Sequence, residues 1–428
     1  KIDSNSAASL LADGGGLSKE NDAYEERPGQ IAFSKKVAKA FNESEILLAE
    51  AGTGTGKSIA YLIPAILWSE SARERIVVST NTKNLQEQLF FREIPIIGKL
   101  LDFPFRAVIL KGRGNYICLN RWRKLAESAN RYLTKKESDL LLPVASWLHE
   151  TTTGDLSETG FFSMLAESGL LERIHSDVIS CAGGRCPVRE KCFVNRIRKA
   201  AQNAHIIIVN HSLVFSDMVS EGGVLGSYCR IVFDEAHNIE KVALQYLGVS
   251  LNYYRIRRVL NRLYSREDHG HGLLAVLQTR AEKIVKGWPE FADKAATIKT
   301  ALDTVQHVRS VTKELFEHIY SSVQDEASQV KNKSEGKLRY TENTSVFSSC
   351  ADIIKAFNEA VSALITVIED LKMLVTGISS GKLKDKEELL TDLEKSQVDL
   401  QGIINDFGFL IEARGRNVFW FEYNGYGS

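Results

Sequence analysis

The run Ala51-Gly52-Thr53-Gly54-Thr55-Gly56-Lys57-Ser58 constrains this chain more than any other stretch of it. Glycines alternating with small residues let backbone N–H groups approach a phosphate closely. A helix that opens on Lys-Ser adds the partial positive charge of its N-terminus. Such a trap works only between a strand and a helix. Ile46-Leu47-Leu48 is the strand candidate, and Ser58 to Ser69 reads as the helix. Lys57 is placed to bridge β- and γ-phosphates, and Ser58 to ligate Mg²⁺. Ala51 stands where the motif has its first glycine, and the remaining spacing is intact. ATP with Mg²⁺ is the ligand this pattern suits.

A phosphate trap of this kind belongs to a parallel α/β sheet, and the flanking sequence agrees. Ile76-Val77-Val78, Ala107-Val108-Ile109-Leu110, His205 to Val209 and Arg230-Ile231-Val232-Phe233 are short apolar strand candidates. Helical stretches such as Asn84 to Phe91 lie between them, as expected for βαβ units. The last strand ends in Asp234-Glu235-Ala236-His237. There Asp234 suits Mg²⁺, directly or through water, and Glu235 suits polarisation of an attacking water. Lys57, Asp234, Glu235 and His237 form the candidate catalytic set. The candidate nucleotide-binding set is Ala51, Gly52, Thr53, Gly54, Thr55, Gly56, Lys57 and Ser58, with Arg27 and Gln30 upstream. The Gln30 amide suits an adenine edge. Ser79-Thr80-Asn81-Thr82, with Gln86 and Gln88, offers small donors at a strand end, which suit the phosphates of a nucleic-acid strand or serve as an ordinary helix cap.

Between the third and fourth strand candidates the pattern changes. Cys118 stands alone, and Cys181, Cys186 and Cys192 follow within twelve residues of one another. In a reducing compartment that grouping favours metal over disulfide. Thiolates suit zinc or an iron–sulfur cluster, and the spacing by itself leaves both open. Cys229 and Cys350 read as small core residues. Basic residues gather around the four thiols: Arg106, Lys111, Arg113, Arg121, Arg123 and Lys124 in one run, Arg185, Arg189, Lys191, Arg196, Arg198 and Lys199 in another. Tyr116 and Trp122 lie among them, a mixture that suits single-stranded nucleic acid.

Composition narrows less. With 428 residues, about 150 per domain gives roughly two to four domains. The 54 basic and 54 acidic side chains balance, so average charge neither supports nor excludes nucleic acid. No apolar run approaches the roughly 18 residues of a membrane span, and residues 1 to 21 do not form a signal peptide. A cytoplasmic protein without a membrane partner is expected, and Lys1 in place of Met reads as a missing or processed start. Beyond about residue 240 the chain reads as helical. Ile354, Phe357, Val361, Leu364, Ile365, Ile368 and Leu371 form one apolar stripe, best explained as core.

Together these motifs resemble the DinG/XPD family of iron–sulfur superfamily 2 DNA helicases, and its bacterial DinG branch more closely. The resemblance rests on Glu50 to Ser58, Gly112-Arg113-Gly114-Asn115-Tyr116-Ile117-Cys118, the Cys181/Cys186/Cys192 triplet, Val209-Asn210-His211 and Asp234 to His237. It implies a RecA-like parallel-sheet motor domain with an inserted iron–sulfur domain and an inserted all-helical arch domain. A [4Fe–4S] cluster would be held by Cys118, Cys181, Cys186 and Cys192, beside ATP and Mg²⁺. The activity would be 5′-to-3′ unwinding of DNA by a monomer, acting on single strands and on forked or other repair DNA. The implied division is a flexible leader at 1–26, motor domain at 27–111 and 201–245, cluster domain at 112–200, arch at 246–416 and a return strand to the motor domain at 417–428. A second motor domain is not expected within these residues, so turnover by them alone is not expected either. A redox-sensing DNA-binding module and a zinc-bearing RNA helicase are the alternatives.

Overall fold

The computed structural model describes the whole chain except residues 21–23, 53, 134, 179–180, 182, 220–222, 266–271, 288–291, 330–335, 380–382, 384–385 and 424–428. It divides into two compact units. The first comprises Lys1–Glu127, Asp139–Asp177 and Ala182–Gly248; the second comprises Ser128–Ser138, Val178–Cys181 and Val249–Ser428.

The first unit is built on a parallel sheet of β1 (Ile76–Thr80), β2 (Ala107–Ile109), β3 (Ile206–Asn210) and β4 (Arg230–Phe233), in the order β2-β3-β1-β4. Every pairing is parallel. β1 is buried throughout, and β3 is buried from Ile206 to Val209. Strands covered on both faces need near-continuous Val and Ile, which is what both carry. The helix Lys57–Ala72 packs across this sheet with Leu62, Ile63, Ala65 and Ile66 fully buried.

Two expectations fail in this unit. Ile46-Leu47-Leu48 is not a strand: Ile46 is 101% and Leu48 90% exposed. An apolar run becomes a strand only where a ladder receives it, and this run has no strand partner among the described residues. The expected flexible leader, where it is described, packs into this unit instead. Asp3 caps a short helix, Ser4–Ser9, and Ala7 and Leu11 are fully buried. The Asn42 side chain closes both backbone groups of Ile2, each at 2.8 Å, and the Tyr24 hydroxyl donates to the Leu11 carbonyl at 2.6 Å.

The cysteine-rich part of this unit folds around its own small core, which includes Tyr116, Ile117, Leu156, Leu165, Ile174 and Phe193. Gly154 sits at φ 68°, and a Cβ there would meet the Phe193 ring at 2.3 Å, so glycine is needed on both counts.

The second unit is helical, with long helices Ala292–Gln329, Ala351–Gly377 and Lys386–Glu412. The apolar stripe falls inward as its spacing predicts: Phe357, Val361, Leu364, Ile368 and Leu371 are fully buried, and Ile354 and Ile365 are partly buried against the same core. The expected return strand stays in this unit. Phe419–Glu422 (β6) pairs antiparallel with Lys337–Tyr340 (β5) and does not join the parallel sheet. Tyr340 stacks on Phe421 at 4.4 Å and touches Phe419 at 5.7 Å, so cross-strand aromatic packing holds the pair. No helix among the described residues is long and apolar enough to cross a membrane.

Phe357 meets Phe407 edge-on at 5.4 Å in the middle of the helical core. Phe357→Ala is expected to destabilise this unit by about 3–5 kcal/mol, read by urea denaturation followed by far-ultraviolet circular dichroism.

Candidate nucleotide and metal sites

The glycine-rich loop owes its shape to two left-handed residues, Gly54 at φ 78° and Gly56 at φ 75°. Gly56 also has no room for a side chain, because a Cβ there would lie 2.1 Å from Gln30 Nε2. That nitrogen donates to the Gly56 carbonyl at 2.9 Å, and Arg27 Nη1 donates to the Gly54 carbonyl. Gln30 is buried, and its Oε1 lies 3.2 Å from the Tyr24 hydroxyl oxygen. Both residues therefore brace the phosphate loop, and the Gln30 amide is engaged with backbone where an adenine contact was expected. Thr55 Oγ1 closes back on the Gly52 carbonyl at 2.9 Å, and Thr53 lies outside the described residues. Immediately after Gly56 the helix Lys57–Ala72 begins, so Lys57 and Ser58 stand in its first turn.

β4 delivers the carboxylates. Asp234 N–H donates to the Ser79 carbonyl at 2.8 Å, carrying the β1–β4 ladder one residue past the strand. The Asp234 carboxylate is held on both oxygens: Oδ1 accepts from the Glu235 N–H at 3.1 Å and Oδ2 from the Tyr61 hydroxyl at 3.2 Å. Burial pushes its pKa up, the Tyr61 hydrogen bond opposes that, and the neighbouring Glu235 charge adds to it. Glu235 has φ 56°, a left-handed conformation costly for any residue with a side chain. Strain of this kind persists where the surroundings impose it, as the start of a new helical turn at Ala236 does here. Its carboxylate faces Lys57 Nζ at 3.8 Å and exposed His237 Nδ1 at 3.5 Å. Lys57 and His237 thus both lie against Glu235, whose backbone N–H bonds the neighbouring Asp234 carboxylate.

Tyr61 and His211 carry roles that motif reading missed. Tyr61 is buried at the heart of the helix, and burial followed by the Asp234 charge raises its pKa well above the ordinary phenol value. His211 is fully buried, and its Nδ1 lies 2.7 Å from Ser79 Oγ. Burial lowers its pKa, so it is neutral at physiological pH. It ties β1 to the segment after β3, and its ring lies 5.7 Å from that of Phe233 at the end of β4. A helical spacing from Ser58 was the available signal for Tyr61; nothing local announced the pairing of His211 with Ser79.

Several residues expected at a nucleic-acid surface are used internally. Ser79, Thr80 and Gln86 are buried, which leaves Asn81, Thr82 and Gln88 outward. Lys111 is buried in an ion pair with Asp155 Oδ2 at 2.5 Å, with Glu87 at 3.3 Å beside it. A lysine is removed from water only with such partners. Tyr116 is a core residue whose hydroxyl accepts from the Lys111 N–H at 3.1 Å. Arg121 donates to the His175 and Glu172 carbonyls, each at 2.8 Å, and Arg106 to the Asn203 carbonyl at 2.8 Å.

The cysteines meet in part. Cys118 is half-buried, and burial raises its pKa; backbone N–H groups of Arg121 and Asn120 oppose this, while the nearby Cys186 adds to it. Cys192 precedes the helix Phe193–Gln202 and packs against the small core. Cys181 is exposed and lies in the stretch Val178–Cys181 grouped with the second unit. Among the described residues no three His, Cys, Asp or Glu side chains form a metal-holding group. Cys350 is buried as expected, whereas Cys229 is exposed.

Two family models match this chain: DEAD/DEAH box helicase over residues 31–117 and DEAD_2 over residues 174–256. The ATP-dependent DNA helicase YoaA of Haemophilus influenzae is 38% identical over 253 residues, which is 58% of this chain and 38% of that protein. YoaA of Escherichia coli is 35% identical, over 56% of this chain and 38% of its own length. A Bacillus subtilis protein named 3′-5′ exonuclease DinG is 34% identical, over 59% of this chain and 27% of its own. The matched part is thus well under half the length of each of these relatives.

The raised pKa of Asp234 makes a test of this geometry. A carboxyl with a raised folded-state pKa contributes stability that is present below its unfolded value and lost as pH rises through the folded value. Burying the charged form of Asp234 therefore weakens the fold. Asp234→Asn is expected to raise the melting temperature at pH 7 without added Mg²⁺, and to lose that advantage as pH falls towards 4.

Proposed function

Because the chain belongs to the DinG/XPD family of superfamily 2 helicases, we propose that it binds ATP with Mg²⁺ and single-stranded DNA as part of a 5′-to-3′ DNA helicase engaged in repair. The observation that carries this reading is the convergence of Lys57 and Glu235 at 3.8 Å beside Asp234, at the foot of a glycine loop. Relatives named as ATP-dependent DNA helicases favour DNA unwinding over the RNA and sensor alternatives.

The donor set fits Mg²⁺. The Ser58 hydroxyl and the Asp234 carboxylate are hard oxygen ligands, and Tyr61 already holds one oxygen of Asp234. Bound there, the ion would offset the charge gathering on the phosphate oxygens. The chain's own residues do the rest. The loop N–H groups cradle the phosphates. Lys57, paired with Glu235 in this structure, turns to the γ-phosphate when ATP enters. That exchange releases Glu235 to orient the attacking water and accept its proton. His237, exposed next to Glu235, is placed to couple this step to whatever contacts the outer face of the site.

Cys118, Cys181, Cys186 and Cys192 are the proposed ligands of a [4Fe–4S] cluster. The approach of Cys118 and Cys186 and the thiolate chemistry of the set support it. The part at 112–200 then serves as the cluster domain beside the DNA path, and the helical part at 246–416 as the arch.

Lys57→Ala is expected to weaken binding of a fluorescent ATP analogue by at least about tenfold, roughly 1.4 kcal/mol. An affinity unchanged by that substitution would exclude the loop as the nucleotide site. Anaerobic purification should yield a brown protein with about four irons and matching sulfide per chain, lost together with the colour in Cys118→Ser. Colourless protein with stoichiometric zinc would overturn the cluster.

A further inference from the structure

We infer that Tyr61 is a positioning residue that orients the two Mg²⁺ ligands, Ser58 and Asp234, through a relay in which Ser58 O–H donates to Tyr61 and Tyr61 O–H donates to Asp234 Oδ2. The inference deepens the nucleotide reading above and rests on it.

The geometry begins with the helix. Tyr61 stands three residues after Ser58 in Lys57–Ala72, so both project from the same face, one turn apart. The phenol is buried with 3% of its surface exposed, and its hydroxyl reaches Asp234 Oδ2 at 3.2 Å, across 173 residues of sequence. Ring packing alone does not account for a hydroxyl here. A buried phenol needs a partner, and phenylalanine would fill the space without one.

Hydrogen-bond direction gives the relay its function. A serine that ligates a cation as a neutral hydroxyl must turn its proton away from the metal and its lone pairs towards it. That proton needs an acceptor, and the Tyr61 oxygen is one. The Tyr61 proton in turn goes to Asp234 Oδ2. Glu235 N–H holds the other Asp234 oxygen at 3.1 Å. The carboxylate is therefore fixed in rotation before any ion arrives. One phenol thus registers the loop helix against the end of β4, and pre-orients donors from two distant parts of the chain.

Tyr61→Phe separates this role from packing. For wild type and variant, the affinity for a fluorescent ATP analogue is measured with Mg²⁺ and again with EDTA. The quantity read is the ratio of the two affinities, which does not depend on the fraction of molecules folded. In wild type Mg²⁺ is expected to strengthen binding several-fold; no nucleotide binding at all would defeat the functional reading and not this one. In Tyr61→Phe the Mg²⁺ enhancement is expected to fall at least about threefold, while affinity in EDTA stays as in wild type. Ser58→Ala added to Tyr61→Phe should then cost less than the product of the two single losses. An enhancement equal to that of wild type overturns the relay. So do equal losses with and without Mg²⁺, or strictly multiplicative losses in the double variant.

Discussion

The pairing of β1 with β3 on one side and β4 on the other is the contact on which the candidate site depends. Parallel strands in register bring their C-terminal ends to one edge, and side chains that leave that edge must meet. Asp234 therefore continues the ladder from Ser79, and Glu235 turns back towards the helix that the glycine loop begins. The placement of Asp234 and Glu235 follows from that registration. A slip of one residue between β1 and β4 would turn Asp234 away from Tyr61 and put Glu235 out of reach of Lys57.

Charge and backbone strain gather at the same place in the candidate site. Burial raises the pKa of Asp234, and Glu235 is strained in its backbone. Lys57 and Glu235 neutralise each other across 3.8 Å for want of better partners. A polyphosphate with its cation offers each of them a stronger partner, so ligand binding and local rearrangement are linked. Buried His211 connects this end of the sheet to Ser79, one residue before the loop whose outward members are Asn81 and Thr82. The nucleotide site and the strand-end loop thus share a strand and a buried hydrogen bond.

The basic residues around the cysteines divide into two kinds, and charge alone does not separate them. Lys111 is an internal cation, locked between Asp155 and Glu87, and it joins the end of β2 to the cysteine-bearing part of the same unit. Arg121 and Arg106 spend their guanidinium protons on backbone carbonyls. Tyr116 likewise belongs to a core and not to a stacking surface. A basic-aromatic run in sequence is therefore partly scaffold, because a small lobe with few apolar residues closes its backbone groups with long charged side chains.

What the sequence determined by itself is local chemistry with a period. The glycine loop, the Asp-Glu pair, the four parallel strands and the inward stripe of Ala351–Gly377 are each written within a dozen or so residues. Sterics, backbone hydrogen bonding and helical spacing act at that range. What the tertiary structure decided is whatever needed a partner far along the chain. Ile46-Leu47-Leu48 has strand composition but no strand among the described residues pairs with it, and Phe419–Glu422 found its partner in β5 because aromatic rings matched there. Gln30 became a brace because Gly56 came within reach, and Tyr61 acquired a function only when Asp234 arrived from 173 residues away. Hydrogen bonds between distant residues leave no period in the sequence, so packing alone could place them.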